Sequence, residues 1–189
     1  MKKTLGGVNL MYPMPTVLAG AMVDGKPNFN TIAHVGILNA APPHHISLSM
    51  ARMHYTNRGI REHGQFSVNI PSQDLVVETD YCGIVSGKRT DKSKLFDVFF
   101  GTLPHAPLIS QCPICMECRL DQTVELPTHE VFVGVVVETH CDETVLTGGK
   151  VDLAKVRPLL FDMSTRKYWS IGSAVGDAWK VGKALKSRS

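Results

Sequence analysis

The sequence predicts a mainly β protein, a β-barrel with flanking helices, and three observations carry that reading. Short apolar segments of strand length recur along the chain, separated by Gly, Pro and Asn/Asp turn signals. Helical patterns are few and short, and they begin at Thr56, Ser72 and Asp91, residue types able to cap them. The densest β-branched run, EVFVGVVVET over residues 130–139, has the composition of a strand rather than a helix.

The elements follow in order. Residues 16–23 read as a buried strand, and residues 24–27 (Asp-Gly-Lys-Pro) as the turn after it. The apolar run resumes over residues 31–38 and ends at Pro42-Pro43. Ile46, Leu48 and Met50 alternate with Ser47 and Ser49, which gives a strand with two unlike faces. Thr56 is placed to cap a short helix over residues 57–63, closed by Gly64. A strand over residues 66–70 stops at Pro71, and Ser72 caps a second helix over residues 75–81. Residues 83–87 read as loop, and Asp91 opens a third helix that reaches Phe99. Strands return from Met116. Gly148-Gly149 is a turn, residues 159–170 form two short strands around Ser164-Thr165, and residues 175–185 have helical apolar spacing. No internal linker divides the chain, so residues 1–189 are expected to form one domain.

Composition excludes several classes. A chain that is 43% hydrophobic and 20% charged is that of an ordinary globular protein. A net charge of +3 calls for neither a nucleic-acid nor a membrane surface. The basic tail (Lys180, Lys183, Lys186, Arg188) reads as a solvated helix end. The uncharged run over residues 131–137 is too short to span a bilayer. Pro13 and Pro15 break the apolar stretch after Lys2-Lys3, so no signal peptide is expected. Five cysteines, an odd number, read as free thiols of a reducing cytoplasm.

The residues with chemistry gather at segment ends. Asn30-Thr31, Ser49, Tyr55-Thr56 and Asp91-Lys92 bring hydroxyls, an amide and a lysine to strand-to-helix turns, where helix N–H groups favour an anion. Singly, Thr56 and Asp91 are plain caps; jointly they suit the phosphoester of a bound cofactor. Nucleotide loops fail: residues 176–183 resemble a Walker loop with one residue too many, and Ala184 stands where Ser or Thr should bind magnesium. No G-x-G-x-x-G follows a strand. Cys112, Cys115 and Cys118 form C-x-x-C-x-x-C, but Gln122 occupies the fourth ferredoxin position. In an extended segment Cys112 and Cys118 share one face while Cys115 takes the other, so a shared metal or redox role is the minority reading. His44-His45 read as solvent-facing. His129, just before the valine-rich strand, is placed at a barrel rim where it could bond a ligand oxygen.

Together these residues resemble the flavin reductase-like FMN-binding family and, within it, the flavoredoxins. The likeness rests on GKPNFNTIAHVG around Asn30-Thr31, on ISLSMARMHYTNRGIREHGQFSVNIPS from Ile46, and on CGIVSGKRTDKSKLF from Cys82. It continues in THEVFVGVV from Thr128 and KYWSIGSAVGDAW from Lys167, and so covers nearly the whole chain. It implies an FMN-binding split barrel of antiparallel, Greek-key strands, a homodimer, and one non-covalent FMN per subunit. It also implies that Ser49 and Thr56 hold the ribityl phosphate, that Arg52 pairs its charge, and that the neighbouring Met50 and Tyr55 belong to the cofactor site. Asn30 and Thr31 would bond the ring or ribityl chain, Lys92 and His129 would approach the pyrimidine edge, and Phe161 or Tyr168 would lie near the ring. Some flavoredoxin-like members carry a tryptophan where this chain has His34, Val35 and Gly36. The activity implied is oxidoreduction or electron transfer. Electrons would come from NAD(P)H or a redox protein and go to flavin, ferric iron or another redox protein. The alternatives are a non-catalytic FMN store or sensor, and a thiol or metal protein built on the three cysteines.

Overall fold

The computed structural model describes residues 1–188. In chain order its strands are β1 (Met14–Pro15), β2 (Val17–Val23), β3 (Lys26–Ile32), β4 (Val35–Asn39), β5 (His45–Ala51), β6 (Gln65–Ile70), β7 (Val98–Phe99) and β8 (Leu108–Ile109). They continue as β9 (Ile114–Glu125), β10 (His129–Cys141), β11 (Leu146–Thr147), β12 (Lys150–Val151), β13 (Leu160–Asp162) and β14 (Lys167–Trp169). The α-helices are α1 (Thr56–His63), α2 (Val76–Ile84) and α3 (Leu153–Val156).

Seven strands form an antiparallel split barrel in the order β3-β2-β6-β9-β10-β5-β4. Its two edges, β3 and β4, are joined in sequence by Ala33-His34 alone. Inward-facing residues alternate with outward ones as the pleat requires. Val17, Ala19, Ala21, Leu48, Met50, Phe66, Val68, Cys118 and Phe132 fill the interior. Register shifts at Val133/Gly134 and Val136/Glu138 bend the long β9–β10 hairpin around that core. α1 lies directly on β2 because Gly59 has no Cβ, which would otherwise strike the Met22 carbonyl. Among the described residues no helix is long and apolar enough to cross a membrane.

Several boundaries differ from the expectation. The first turn is only Asp24-Gly25, both with positive φ (49° and 74°), and Lys26 and Pro27 already belong to β3. The run over residues 31–38 is two strands, because its apolar pattern continues across the crossover. Thr56 is the first helical residue, the N-cap is Tyr55, and no side chain caps α1. Gly64 does close α1, at φ 61°. α2 extends through Ile84, so Gly83 is helical rather than loop. Asp91 caps a single 3-10 turn, Lys92–Leu95, and Val98–Phe99 is a strand. Near the C-terminus helical geometry is confined to a 3-10 segment, Val181–Arg188.

The cysteines divide differently from the expected faces. Cys112 lies in a turn before Pro113, ahead of β9, and packs with Cys115 and Cys82 in a second core that also holds Leu18, Phe29, Phe96, Leu108 and Ile109. Cys118, three residues along β9 from Cys115, faces the barrel interior. The two cores lie on opposite faces of one sheet. Of the histidine pair, His44 is exposed, whereas His45 is half-buried in β5.

Candidate functional site

A cavity of about 440 Å³ opens on the outside of the barrel where the two sheet edges meet. The end of β3 supplies Thr31 and Ile32, and the crossover supplies Ala33 and His34. β5 supplies Ser49 and Ala51, which face outward because Leu48 and Met50 face inward. His129 comes from β10, directly opposite Ala51 in the ladder. α2 adds Asp80, Gly83 and Ile84, and the β13–β14 hairpin adds Phe161, Met163, Arg166 and Tyr168.

The cavity is lined by polar groups held in place from behind. The His34 carbonyl accepts from Ser49 N at 2.9 Å. Asn30 Nδ2 donates to His54 Nδ1 at 2.9 Å, which leaves the proton of a neutral His54 ring on Nε2. Thr31 Oγ1 donates to the Thr79 carbonyl. Tyr168 Oη donates to Asp80 Oδ1 at 3.0 Å and fastens the hairpin to α2. Burial and that bond push the Tyr168 phenol up. Burial, then neighbouring His129, holds His34 below its ordinary value. Burial, then Lys92 and His129, does the same to His54. Both imidazoles are therefore neutral at neutral pH. Two buried polar atoms of lining residues, Thr16 Oγ1 and His34 Nε2, have no hydrogen-bond partner among the described residues.

His54 also borders a second cleft, of about 610 Å³, lined by Arg52, Tyr55, Asn57, Arg58, Arg61 and Lys88. Its three arginines are all paired, Arg58 with Asp24 (2.6 Å), Arg52 with Glu125 (3.1 Å) and Arg61 with Glu130, and Glu62 also lines it beside Lys88. Arg52 also donates to the Leu126 carbonyl at 2.8 and 3.0 Å. Tyr55 Oη donates to Asp24 at 2.5 Å. The uncapped first turn of α1 borders this cleft, so its positive dipole end adds to the field there.

Of the residues singled out in the sequence, Thr31, Ser49, His129, Phe161 and Tyr168 converge on the cavity. Phe161 and Tyr168 both line it, with ring centroids 5.6 Å apart, so there is no choice to make between them. Asn30 stands behind the wall and acts through His54. Arg52 and Tyr55 line the cleft. Thr56 is 1% exposed and its hydroxyl accepts from Asn28 Nδ2 at 2.7 Å, so its side chain joins α1 to β3. Two expectations are corrected by placement. Met50 is 0% exposed in the barrel core, since alternation turns it away from Ser49. Lys92 is 2% exposed, and its ammonium donates to the Cys82 and Val85 carbonyls at 3.0 and 3.2 Å. It caps the end of α2 instead of lining the cavity. Thr16, His54, Asp80 and Arg166 were missed, and His34 was noted only as standing where some flavoredoxin-like members carry a tryptophan. His34 alone left a trace, as a polar residue inside an apolar run.

This barrel and its outer cavity define a class, and sequence comparison fits it: residues 9–170 match the flavin reductase like domain. The chain belongs to that family. It is 43% identical to flavoredoxin from Methanosarcina acetivorans, whose crystal structure superimposes with a TM-score of 0.94 over 98% of this chain and 99% of that one. It is 34% identical to flavoredoxin of Desulfovibrio vulgaris (Miyazaki F), with a TM-score of 0.89 over 96% and 100% of the two chains. An uncharacterized protein of Archaeoglobus fulgidus is 30% identical over 146 residues, 76% of this chain and 80% of that one.

Proposed function

We propose that the chain is an FMN-dependent oxidoreductase or electron carrier. The supporting observation is a pair of neighbouring hollows: a slot walled by aromatic and aliphatic side chains shares His54 with an arginine-lined cleft at a helix N-terminus. A planar heteroaromatic ring suits the slot, and a phosphate suits the cleft. Thr31, Ser49, His34 and His129 offer hydrogen-bonding groups to the ring, between walls made by Phe161 and Tyr168. Arg52, Tyr55, Lys88 and the backbone of Thr56 in the first turn of α1 hold the phosphate. When bound, FMN supplies the reversible acceptance of one or two electrons. The surrounding residues orient it and keep the site neutral on one side.

The electron donor is a reduced nicotinamide nucleotide or a redox protein, and the acceptor is flavin, ferric iron or another redox protein. The protein works as a homodimer. Apolar side chains such as Ile37, Val175 and Trp179 are exposed in the single chain, and a partner gives them cover. Five unpaired thiols, four of them buried, suit a reducing cytoplasm.

The test is the visible spectrum of the purified protein, before and after anaerobic NADPH. A flavin band that bleaches identifies a reductase. A band that only dithionite bleaches identifies a carrier served by a protein donor. A colourless protein that refuses added FMN ends the proposal.

A further inference from the structure

The core of the barrel is open at one end. Val35, Ile70, Met116 and Val136 pack against it but are only half-buried. With Ile37 and Ile46 they line an apolar groove of about 680 Å³. Among the described residues no lysine, arginine or carboxylate lines it. One rim is β4, the last strand of the sheet, which is laddered to β5 alone. Ile37 on that strand is 77% exposed. An open edge beside an apolar groove is a surface that invites another chain.

The same chain carries apolar side chains without a seat. Residues 172–186, after β14, are exposed throughout and form an arm. Lys180 N and Val181 N donate to the Asp177 carbonyl, and Lys183 N to the Lys180 carbonyl, so these bonds stay inside the arm. Val175, Trp179, Val181 and Leu185 stand in solvent along it, Trp179 at 92% exposure. Surface area sets the scale. A compact monomer of 20.7 kDa exposes about 8,900 Å², whereas this chain exposes 11734 Å². The excess of about 2,800 Å² is larger than the ~1,600 Å² that a standard interface buries. The arm and residues 1–13, all exposed, are where the single chain departs from compactness.

We propose that the arm of one copy lies in the barrel-end groove of a second copy, anchored by Trp179, and that the exchange is mutual. The inference deepens the homodimer reading and rests on it. Each copy offers one arm and one groove, so a two-fold pair leaves neither unused. Donor and acceptor surfaces both belong to this chain, and the arm of the single chain stands off its own barrel. Trp179 is the anchor because a large rigid ring in a desolvated pocket carries most of such a contact. The arm begins three residues beyond Trp169, the end of β14. The partner's groove therefore also steadies the hairpin that walls the cavity.

The experiment measures the dimer dissociation constant by analytical ultracentrifugation, for the full-length wild type, Trp179→Asp and Ile37→Asp. Both positions are exposed, so the variants are expected to keep the fold, read as unchanged circular dichroism. Either variant paired with itself lacks both arm–groove contacts, and its dissociation constant should rise on the order of 1,000-fold. The equimolar mixture is decisive. There the arm of the Ile37→Asp copy meets the groove of the Trp179→Asp copy, and the mixed dimer should be weakened only about 30-fold. Variants that dimerise like the wild type overturn the assignment and leave the homodimer reading in place. Variants that separate but gain nothing on mixing overturn it as well, since no arm then reaches a second copy. A wild type that is monomeric at every concentration tested overturns it together with the homodimer reading. Should an aspartate variant misfold, Trp179→Ala and Ile37→Ala take their places, with the same mixture deciding. FMN content, read from the visible spectrum, reports on the cofactor separately from all of these outcomes.

Discussion

The barrel interior and the cavity on its outer wall are built from opposite faces of the same strands, yet they are finished in opposite ways. On β5, Leu48 and Met50 enter an interior that apolar contacts complete. Ser49 and Ala51, one residue along, border the open cavity. The inner face carries most of the stability, because burial of apolar area scales with stabilisation. The outer face instead lines an open cavity with polar residues such as Ser49, His129 and Tyr168.

That division can be broken in four ways. Phe132→Ala, deep in the barrel, should cost about 3–5 kcal/mol, read as a shift of the urea midpoint. The flavin spectrum of the folded fraction should be unchanged, and loss of FMN at an unaltered midpoint would erase the distinction. Lys92→Met strips two helix-end carbonyls of their donor and should cost about 1–3 kcal/mol of stability, with FMN affinity altered less than tenfold. The opposite result, intact stability with FMN lost, would return Lys92 to the binding site. Ser49→Ala should weaken FMN binding by roughly three- to tenfold, the worth of about 0.5–1.5 kcal/mol, while stability stays within about 0.5 kcal/mol. A large unfolding shift instead would make Ser49 part of the frame. The smallest effect concerns the second core beside the cavity. Burial pushes Cys82 up to about 11 and Cys115 to about 12, so neither forms thiolate at pH 8. An aromatic disulfide reagent should find one fast thiol per native chain, half-exposed Cys141. Two or more fast thiols would mean that this core is open.

What the sequence disclosed and what it hid follow the range of the forces involved. The alternation of β5, the valines of β10 and the Gly64 stop are local, and each was legible. The Ala33-His34 crossover was not, because an apolar pattern runs unbroken across it. Lys92 misled because its acceptors, ten and seven residues upstream, exist only where α2 ends. Asp80 and Tyr168 meet across 88 residues and carry no mutual signature in the chain. Phe161 and Tyr168 were reached only through family resemblance.

The β13–β14 hairpin pairs with β1 and shares no ladder with the seven-stranded sheet, although it supplies a whole wall of the cavity. Its anchorage on that side includes the Tyr168–Asp80 bond. The wall can therefore be rewritten residue by residue without disturbing the folding of the barrel. Changes in this small hairpin reshape one wall of the cavity while the seven-stranded ladder that carries the other walls stays as it is.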